Sequence, residues 1–335
     1  MHTKQGIESM MTEISYNSLI EEMNRLGATN TPFIFAVNFE KSAGLILPHP
    51  NKQTDVLYSI QKYSNYPNAF EKCPLTLKAI PESLESYTKR FNRVMEGLMR
   101  GDTFLTNLTV RTPISLPHSL KEVFVYSKAK YKMYVPDKWV CFSPETFISI
   151  DEHGKISAHP MKGTIDATIP NAKEVILSDY KETAEHHTIV DLIRNDLNMV
   201  AYNVKVEHFR YIDKIISPQG ELLQVSSTIT GTLSPNWKES IGDIIDTLLP
   251  AGSISGAPKE ATLQIIREAE QQTRGYYTGI MGMFNGETMD TGVIIRYIEK
   301  EGGSLFFRSG GGITINSVVE NEYREIIQKI YIPHV

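Results

Sequence analysis

Between residues 204 and 308 strand-like runs follow one another with no helix inside each group: 204–217 with 222–233, then 277–284, 290–299 and 304–308. Connections this short leave no room for a crossover helix, so neighbouring runs pair antiparallel. A doubly wound parallel sheet is thereby excluded, and helices interspersed among antiparallel strands predict an α+β fold. The helices read from apolar spacing and end signals. One spans 16–26 and stops at Gly27. A second spans Pro81 to Arg100 with Gly101 at its C-terminal end, and KETAEHHTIVDLIRNDLNMVAY (181–202) forms the clearest one. Others are predicted at 237–249, from Pro258 to about Glu270, and from Val318 to Ile330. Further strands are expected at 32–40, 44–49, 103–113 and 139–150, and a turn at Glu152-His153-Gly154 leads into a strand ending near Pro160.

The 335 residues contain no repeat, low-complexity tract or Pro/Gly/Ser-rich linker, so a single domain over 1–335 is expected. A net charge of −5 gives no attraction for phosphate backbones or anionic lipid, which argues against nucleic acid and membrane as partners. No run reaches the length of a membrane span, and MHTKQGIESMMTEIS lacks an export signal's apolar region. The two cysteines, Cys73 and Cys141, form no CxxC pair, so neither a zinc knuckle nor a disulfide framework is indicated. A cytoplasmic protein fits these features.

Because an acidic chain holds an anionic substrate only through local positive charge, the chemistry-bearing segments matter more than the average. Glu182 and Glu185 project from one helix face, as do Glu322 and Glu325 on the last helix. They are either solvated residues near helix N-termini, where the dipole favours them, or converging ligands for Mg2+, a hard ion that prefers oxygen. His186 and His187 have no second histidine at metal-ligand spacing and read as ordinary helix residues; Asp191, Arg194, Asn195 and Asp196 read as structural pairing. In PMKGT (160–164), Lys162 ends a strand. It is either a surface lysine or, if partly buried, an amine whose pKa desolvation lowers toward a nucleophile or base. Gly310-Gly311-Gly312 is either a flexible turn or a backbone cradle for a carboxylate near the last helix. Arg296, expected within a strand, and Arg274 with Tyr277 in RGYYTG can orient such a carboxylate or serve structure.

Taken together, GDTFLTNLTVR (101–111), FSPETF (142–147), HPMKGT (159–164), ETAEHHTIVDLIRNDL (182–197), SSTITG (226–231), PAGSISGAPK (250–259), RGYYTG (274–279), TGVIIR (291–296), SGGGIT (309–314) and ENEYREI (320–326) resemble the chorismate-utilising enzymes. The resemblance covers roughly 80–330 as the catalytic part and leaves 1–80 as a variable, shortened N-terminal part. It implies a large fold of sandwiched antiparallel sheets with helices outside. It also implies that Glu182, Glu185, Glu322 and Glu325 hold Mg2+, and that Gly163, Thr164, Tyr277, Arg296 and Gly310 to Gly312 bind chorismate's carboxylates.

Within the family the chain is most similar to aminodeoxychorismate synthase component I, because Lys162 stands where anthranilate and isochorismate synthases usually carry Ala; Asn107 points the same way. The implied reaction has Lys162 attack C2 of chorismate while Glu145 protonates the departing 4-hydroxyl, after which ammonia adds at C4. Gln224 stands where many relatives place a histidine and cannot donate a proton as imidazolium does, which argues against pyruvate release toward anthranilate. The short N-terminal part argues against feedback by tryptophan. Neither cysteine lies in a GxCxG context, so ammonia is expected from a separate glutamine amidotransferase subunit. The alternatives are anthranilate synthase component I, an isochorismate or salicylate synthase, or a catalytically silent chorismate-binding subunit.

Overall fold

The structure, a computed structural model, describes residues 13–67, 75–217, 220–256 and 258–333. Cys73 and most of the N-terminal stretch read for an export signal lie outside the described residues. The chain opens with β1 (Ile14–Ser15), α1 (Tyr16–Ala28), β2 (Phe33–Val37) and β3 (Ala43–Pro48). The Ser15 side chain caps α1 by accepting from Ser18 N, and Leu19, Met23 and Leu26 form its buried face. Short strands β4 (Leu57–Ile60), β5 (Tyr63–Ser64) and β6 (Lys78–Ala79) lead to α2 (Leu84–Arg100), β7 (Thr106–Ser115), α3 (Leu120–Tyr126), β8 (Tyr131–Val135) and β9 (Trp139–Ser143). Helix α2 starts three residues later than Pro81, because Ser83 supplies the N-cap, and it ends on Gly101 at φ +78°.

Next come β10 (Thr146–Ile150), β11 (Lys155–Ala158), β12 (Met161–Asp166), α4 (Ala172–Ser178), α5 (Tyr180–Asn198), β13 (Tyr202–Ser217) and β14 (Gly220–Thr232). A single 3-10 turn over Trp237–Ser240 precedes α6 (Ile241–Leu248), so the helix expected at 237–249 is divided. The chain ends with α7 (Gly252–Ser255), α8 (Lys259–Glu270), β15 (Ile280–Phe284), β16 (Met289–Val293), β17 (Tyr297–Glu301), β18 (Ser304–Ile313) and α9 (Val319–Gln328).

Two sheets result, with every strand pairing antiparallel. The first runs β1-β3-β2-β15-β16-β10-β11-β14-β12, with β13 also on β14; the second runs β5-β4-β8-β9-β17-β18-β7-β6. Strand β2 shows why they stack. Phe33, Phe35 and Val37 pack with α1 and α6 on one side, whereas Ile34 and Ala36 pack with Tyr58, Met133 and Trp139 of the second sheet on the other. A strand covered on both faces is apolar throughout rather than alternating. Helices α2, α8 and α9 close over β7, where Phe91, Val94, Ile265 and Ile326 meet Leu108 and Val110. The expected α+β sandwich with helices outside is what forms.

Two runs expected as continuous strands are broken where the chain changes sheet. The run 139–150 divides at Pro144-Glu145 between β9 in the second sheet and β10 in the first. The run 290–299 divides at 294–296 between β16 in the first sheet and β17 in the second. Arg296 therefore stands at a break, at φ +53°, and not within a strand. The second run is apolar up to Arg296, so periodicity gives no sign of that change, whereas Pro144 marks the first.

Candidate active site

The two crossings lie side by side, with Val293 N donating to Glu145 O at 3.1 Å and Phe142 N donating to Arg296 O at 3.0 Å. Through their positions in the sandwich, Glu145 and Arg296 enter one cavity of about 680 Å³. Lys162, Gly163 and Thr164 of β12, Gly310 to Gly312 of β18, Tyr277, Gln224, Glu182 of α5 and Glu325 of α9 line it too.

Lys162 is the second residue of β12 rather than the end of a strand. Its ammonium lies 2.7 Å from Glu185 Oε2. Burial pulls the amine's pKa down, but Glu185, with Glu182 and Glu325 behind it, outweighs burial and leaves it above the usual lysine value. This reverses the lowering expected from burial alone: the neighbouring carboxylates stabilise the charged form that desolvation disfavours. Gly163 follows at φ +83°, and a Cβ there would meet Glu182 Oε2 at 3.2 Å. Glycine is thus the residue that allows the carboxylate against the backbone. Thr164 sits across from Gln224 in the β12–β14 pair.

The three glycines are neither a loop nor a helix N-terminus but the last third of β18, paired with β7. Two bonds fix how their backbone faces. Thr109 N donates to Glu270 Oε1 and Asn107 O accepts from Arg274 Nη2, so Thr109 and Asn107 turn their polar groups away from β18. Their partners Gly310 and Gly312 occupy non-hydrogen-bonded positions of the ladder and direct N–H and C=O to its other side. Lys329 Nζ takes the Gly310 carbonyl there at 2.9 Å. The exposed backbone groups of these glycines thus belong to a strand edge and not to a turn.

The acidic helices flank this edge. A Cβ on Gly311 would lie 3.7 Å from a carboxylate oxygen of both Glu322 and Glu325, and one on Gly312 would lie 4.0 Å from Lys162 Nζ. Both carboxylate pairs therefore face the neighbourhood of Lys162. Lys162 neutralises Glu185 and Lys329 neutralises Glu325 at 2.6 Å. Among the described residues no three acidic, His or Cys side chains stand at the mutual spacing of metal ligands. The donors nevertheless have the chemistry a hard divalent ion selects, carboxylate oxygens from two helices, of which Glu182 and Glu325 line the cavity.

Arg296 stacks on Tyr331, its guanidinium carbon 4.8 Å from the ring centre. Its contacts to Lys329 O and Tyr331 Oη, both 3.5 Å, are long enough to give way to a carboxylate. Tyr277 is buried, which pushes its phenol far above the usual range and keeps it a hydrogen-bond donor. Arg274 is not at the site. It is 1% exposed, bonded twice to Glu270 at 2.9 and 2.7 Å, and lies over Phe39.

His186 is buried and bonded to Ser227, His187 packs on Phe209 at the surface, and Arg194 pairs with Asp191, all as ordinary helix residues. Asp196 departs from that reading, since it lines the cavity and pairs with Lys259 at 3.0 Å. Lys329 was missed, although its place one turn after Glu325 is the i,i+4 acid–base spacing that signals a pair. Cys141 is fully buried on β9, its thiol pushed up by desolvation, and so is no accessible nucleophile.

A sandwich of antiparallel sheets with acidic helices, an arginine and a glycine-rich strand around one cavity defines a chorismate-binding enzyme, and the chain belongs to that family, whose model matches residues 48–333. It is 46% identical over 96% of its length to an uncharacterized PabA-like protein of Haemophilus influenzae, covering 98% of that protein. It is 32% identical to aminodeoxychorismate synthase component 1 of Bacillus subtilis over 76% of this chain, which spans 56% of that relative. Anthranilate synthase component 1 of Aquifex aeolicus is also 32% identical, over 73% of this chain and 51% of that protein. Among solved structures, a putative isochorismate synthase from Bacillus anthracis superposes at a TM-score of 0.72 with 20% identity, covering 95% of this chain and 89% of that one. Among the described residues no helix is long and apolar enough to cross a membrane.

Proposed function

We propose that this enzyme aminates chorismate to 4-amino-4-deoxychorismate, the precursor of p-aminobenzoate, using ammonia that a glutamine amidotransferase partner supplies. The observation that carries the reading is an amine, Lys162 Nζ, inside the cavity and hydrogen-bonded to Glu185 at 2.7 Å. The relative named aminodeoxychorismate synthase component 1 supports it. Tyr277, Arg296 and the outward N–H groups of Gly310 and Gly312 hold the substrate's carboxylates. Glu182, Glu185, Glu322 and Glu325 would hold Mg2+, which supplies positive charge to orient the ring carboxylate.

Lys162 first gives up its ammonium proton, which the cavity's carboxylates pass to Glu145, and as the neutral amine it forms a bond to C2 while the conjugated double bonds shift and the C4–O bond breaks. Glu145 gives the leaving hydroxyl a proton, so that it departs as water. Ammonia then bonds to C4, the double bonds shift back, and the C2–Nζ electron pair returns to Lys162. The surplus proton on the new ammonium passes to the lysine amine. Chorismate and ammonia give aminodeoxychorismate and water. Gln224, beside Thr164, supplies no imidazolium to drive pyruvate loss, which weighs against the anthranilate reading that another relative invites.

The test is incubation with chorismate, Mg2+ and ammonium chloride, followed by an added lyase that releases p-aminobenzoate. Lys162→Ala is expected to lower kcat by about 10³-fold or more, and mass spectrometry of trapped wild-type enzyme should show an adduct on Lys162. Fluorescent anthranilate, or isochorismate or salicylate formed without ammonia, would overturn the assignment.

A further inference from the structure

Thr146 opens β10 and lines the cavity, as does Glu145 one residue before it. A chain of side chains behind the wall fixes its hydroxyl. Lys130 Nζ donates to Thr146 Oγ1 at 2.8 Å, and Tyr131 Oη lies 2.9 Å from the same oxygen. Tyr131 Oη also lies 2.6 Å from Asp290 Oδ1, and Gln61 Nε2 donates to it at 3.0 Å. Valence places the protons along this chain. A carboxylate only accepts, so Tyr131 gives its one proton to Asp290. Thr146 must then be the donor in its bond with Tyr131. An ammonium only donates, so Lys130 takes one of the two lone pairs on Thr146 Oγ1. What remains is a single lone pair on a hydroxyl that has no proton to offer. Thr146 and Tyr131 are both buried, so bulk water does not compete for these bonds.

We propose that Thr146 binds substrate, its one open lone pair accepting the hydrogen of the hydroxyl that leaves C4, and that Lys130 and Tyr131 are positioning residues that keep it an acceptor. This proposal rests on the amination reading above. There Glu145, the preceding residue, gives the same hydroxyl its second proton. As that proton arrives the oxygen gains positive character, and its own O–H becomes a stronger donor. The bond to Thr146 therefore tightens while the C4–O bond breaks, which favours the transition state over bound substrate. Thr146 gains and loses no proton, and water departs with both hydrogens. The amine that replaces the hydroxyl also carries N–H groups for the same lone pair.

Steady-state kinetics with chorismate, Mg2+ and ammonium chloride test this. Thr146→Val keeps the shape and removes the acceptor, and is expected to lower kcat/KM for chorismate about tenfold or more, mainly through kcat. Thr146→Ser restores the hydroxyl and should return kcat to within about threefold of wild type. Tyr131→Phe keeps the ring but frees the Thr146 proton to turn toward the cavity. It should lower kcat when Thr146 is present and change nothing further in Thr146→Val, since it acts through that hydroxyl. If the valine variant fails to fold, Tyr131→Phe alone carries the test, and a wild-type kcat there sinks the idea. Wild-type kinetics in Thr146→Val, no rescue by serine, or equal losses from Tyr131→Phe in both backgrounds would each overturn the proposal. Those results leave the amination reading intact, whereas a wild type that aminates nothing removes both.

Discussion

Two lysines show how far the surroundings of one residue decide its chemistry. Lys132 Nζ donates to the carbonyls of Phe124 and Ser127, both at 2.8 Å, and burial pulls its pKa down to about 8. Lys162 is only half-buried, faces carboxylates and moves the other way. Sequence cannot separate these cases, because each lysine sits in a strand and the deciding oxygens belong to other residues. Lys132 also has a stability consequence with a definite sign. The unfolded lysine keeps its proton until roughly pH 10.4, so between about pH 8 and that value the unfolded state binds more protons and stability rises with pH. Urea unfolding of wild type and Lys132→Met, which lacks the titration, should show their difference moving in favour of wild type by roughly 2 kcal/mol from pH 7 to 9.5. A pH-independent difference would mean that the ammonium is not held as described.

At the scale of elements, the glycine strand shows where local reading stops. Three consecutive glycines look like a turn, since the residue weakens a strand by its backbone freedom. β18 accepts them because β7 pairs along the whole segment and because the site needs bare backbone beside carboxylates and an amine. A methyl at Gly312 would stand 3.2 Å from Leu105 Cδ1 and 4.0 Å from Lys162 Nζ, against side chains rather than backbone. Gly312→Ala is therefore expected to fold with little change in Tm but to raise the KM for chorismate about tenfold. A large drop in Tm with unaltered KM would show that the glycine serves the sheet alone. The helices were more legible. Those of α1, α2 and α5 announced themselves by apolar spacing, and α1 and α2 also by Gly27 and Gly101 near their C-terminal ends, whereas the N-caps at Ser15, Ser83 and Asp179 emerged only in the structure.

For the whole molecule, the buried pair of Arg274 and Glu270 joins distant parts of the sequence: α8, the turn before β15, and β7 through Asn107 O and Thr109 N. At 1% and 0% side-chain exposure, removal of one partner leaves a charge with no water. Arg274→Met is expected to cost about 3–5 kcal/mol in urea unfolding, with part recovered when Glu270→Gln is added. Equal losses in the single and double variants would show that packing, not the stranded carboxylate, sets the cost. The same long-range logic governs the site. The sequence by itself determined the fold class, most helices and the residue types of the cavity, because periodicity, caps and motif spacing are local properties of a chain. Only the tertiary structure decided that Glu145 and Arg296 sit where the chain changes sheets, that Arg274 is structural, that Asp196 faces the cavity, and that Lys162 is held charged. Each of those depends on atoms brought together from far along the chain, and neither burial nor electric field exists until the two sheets have packed.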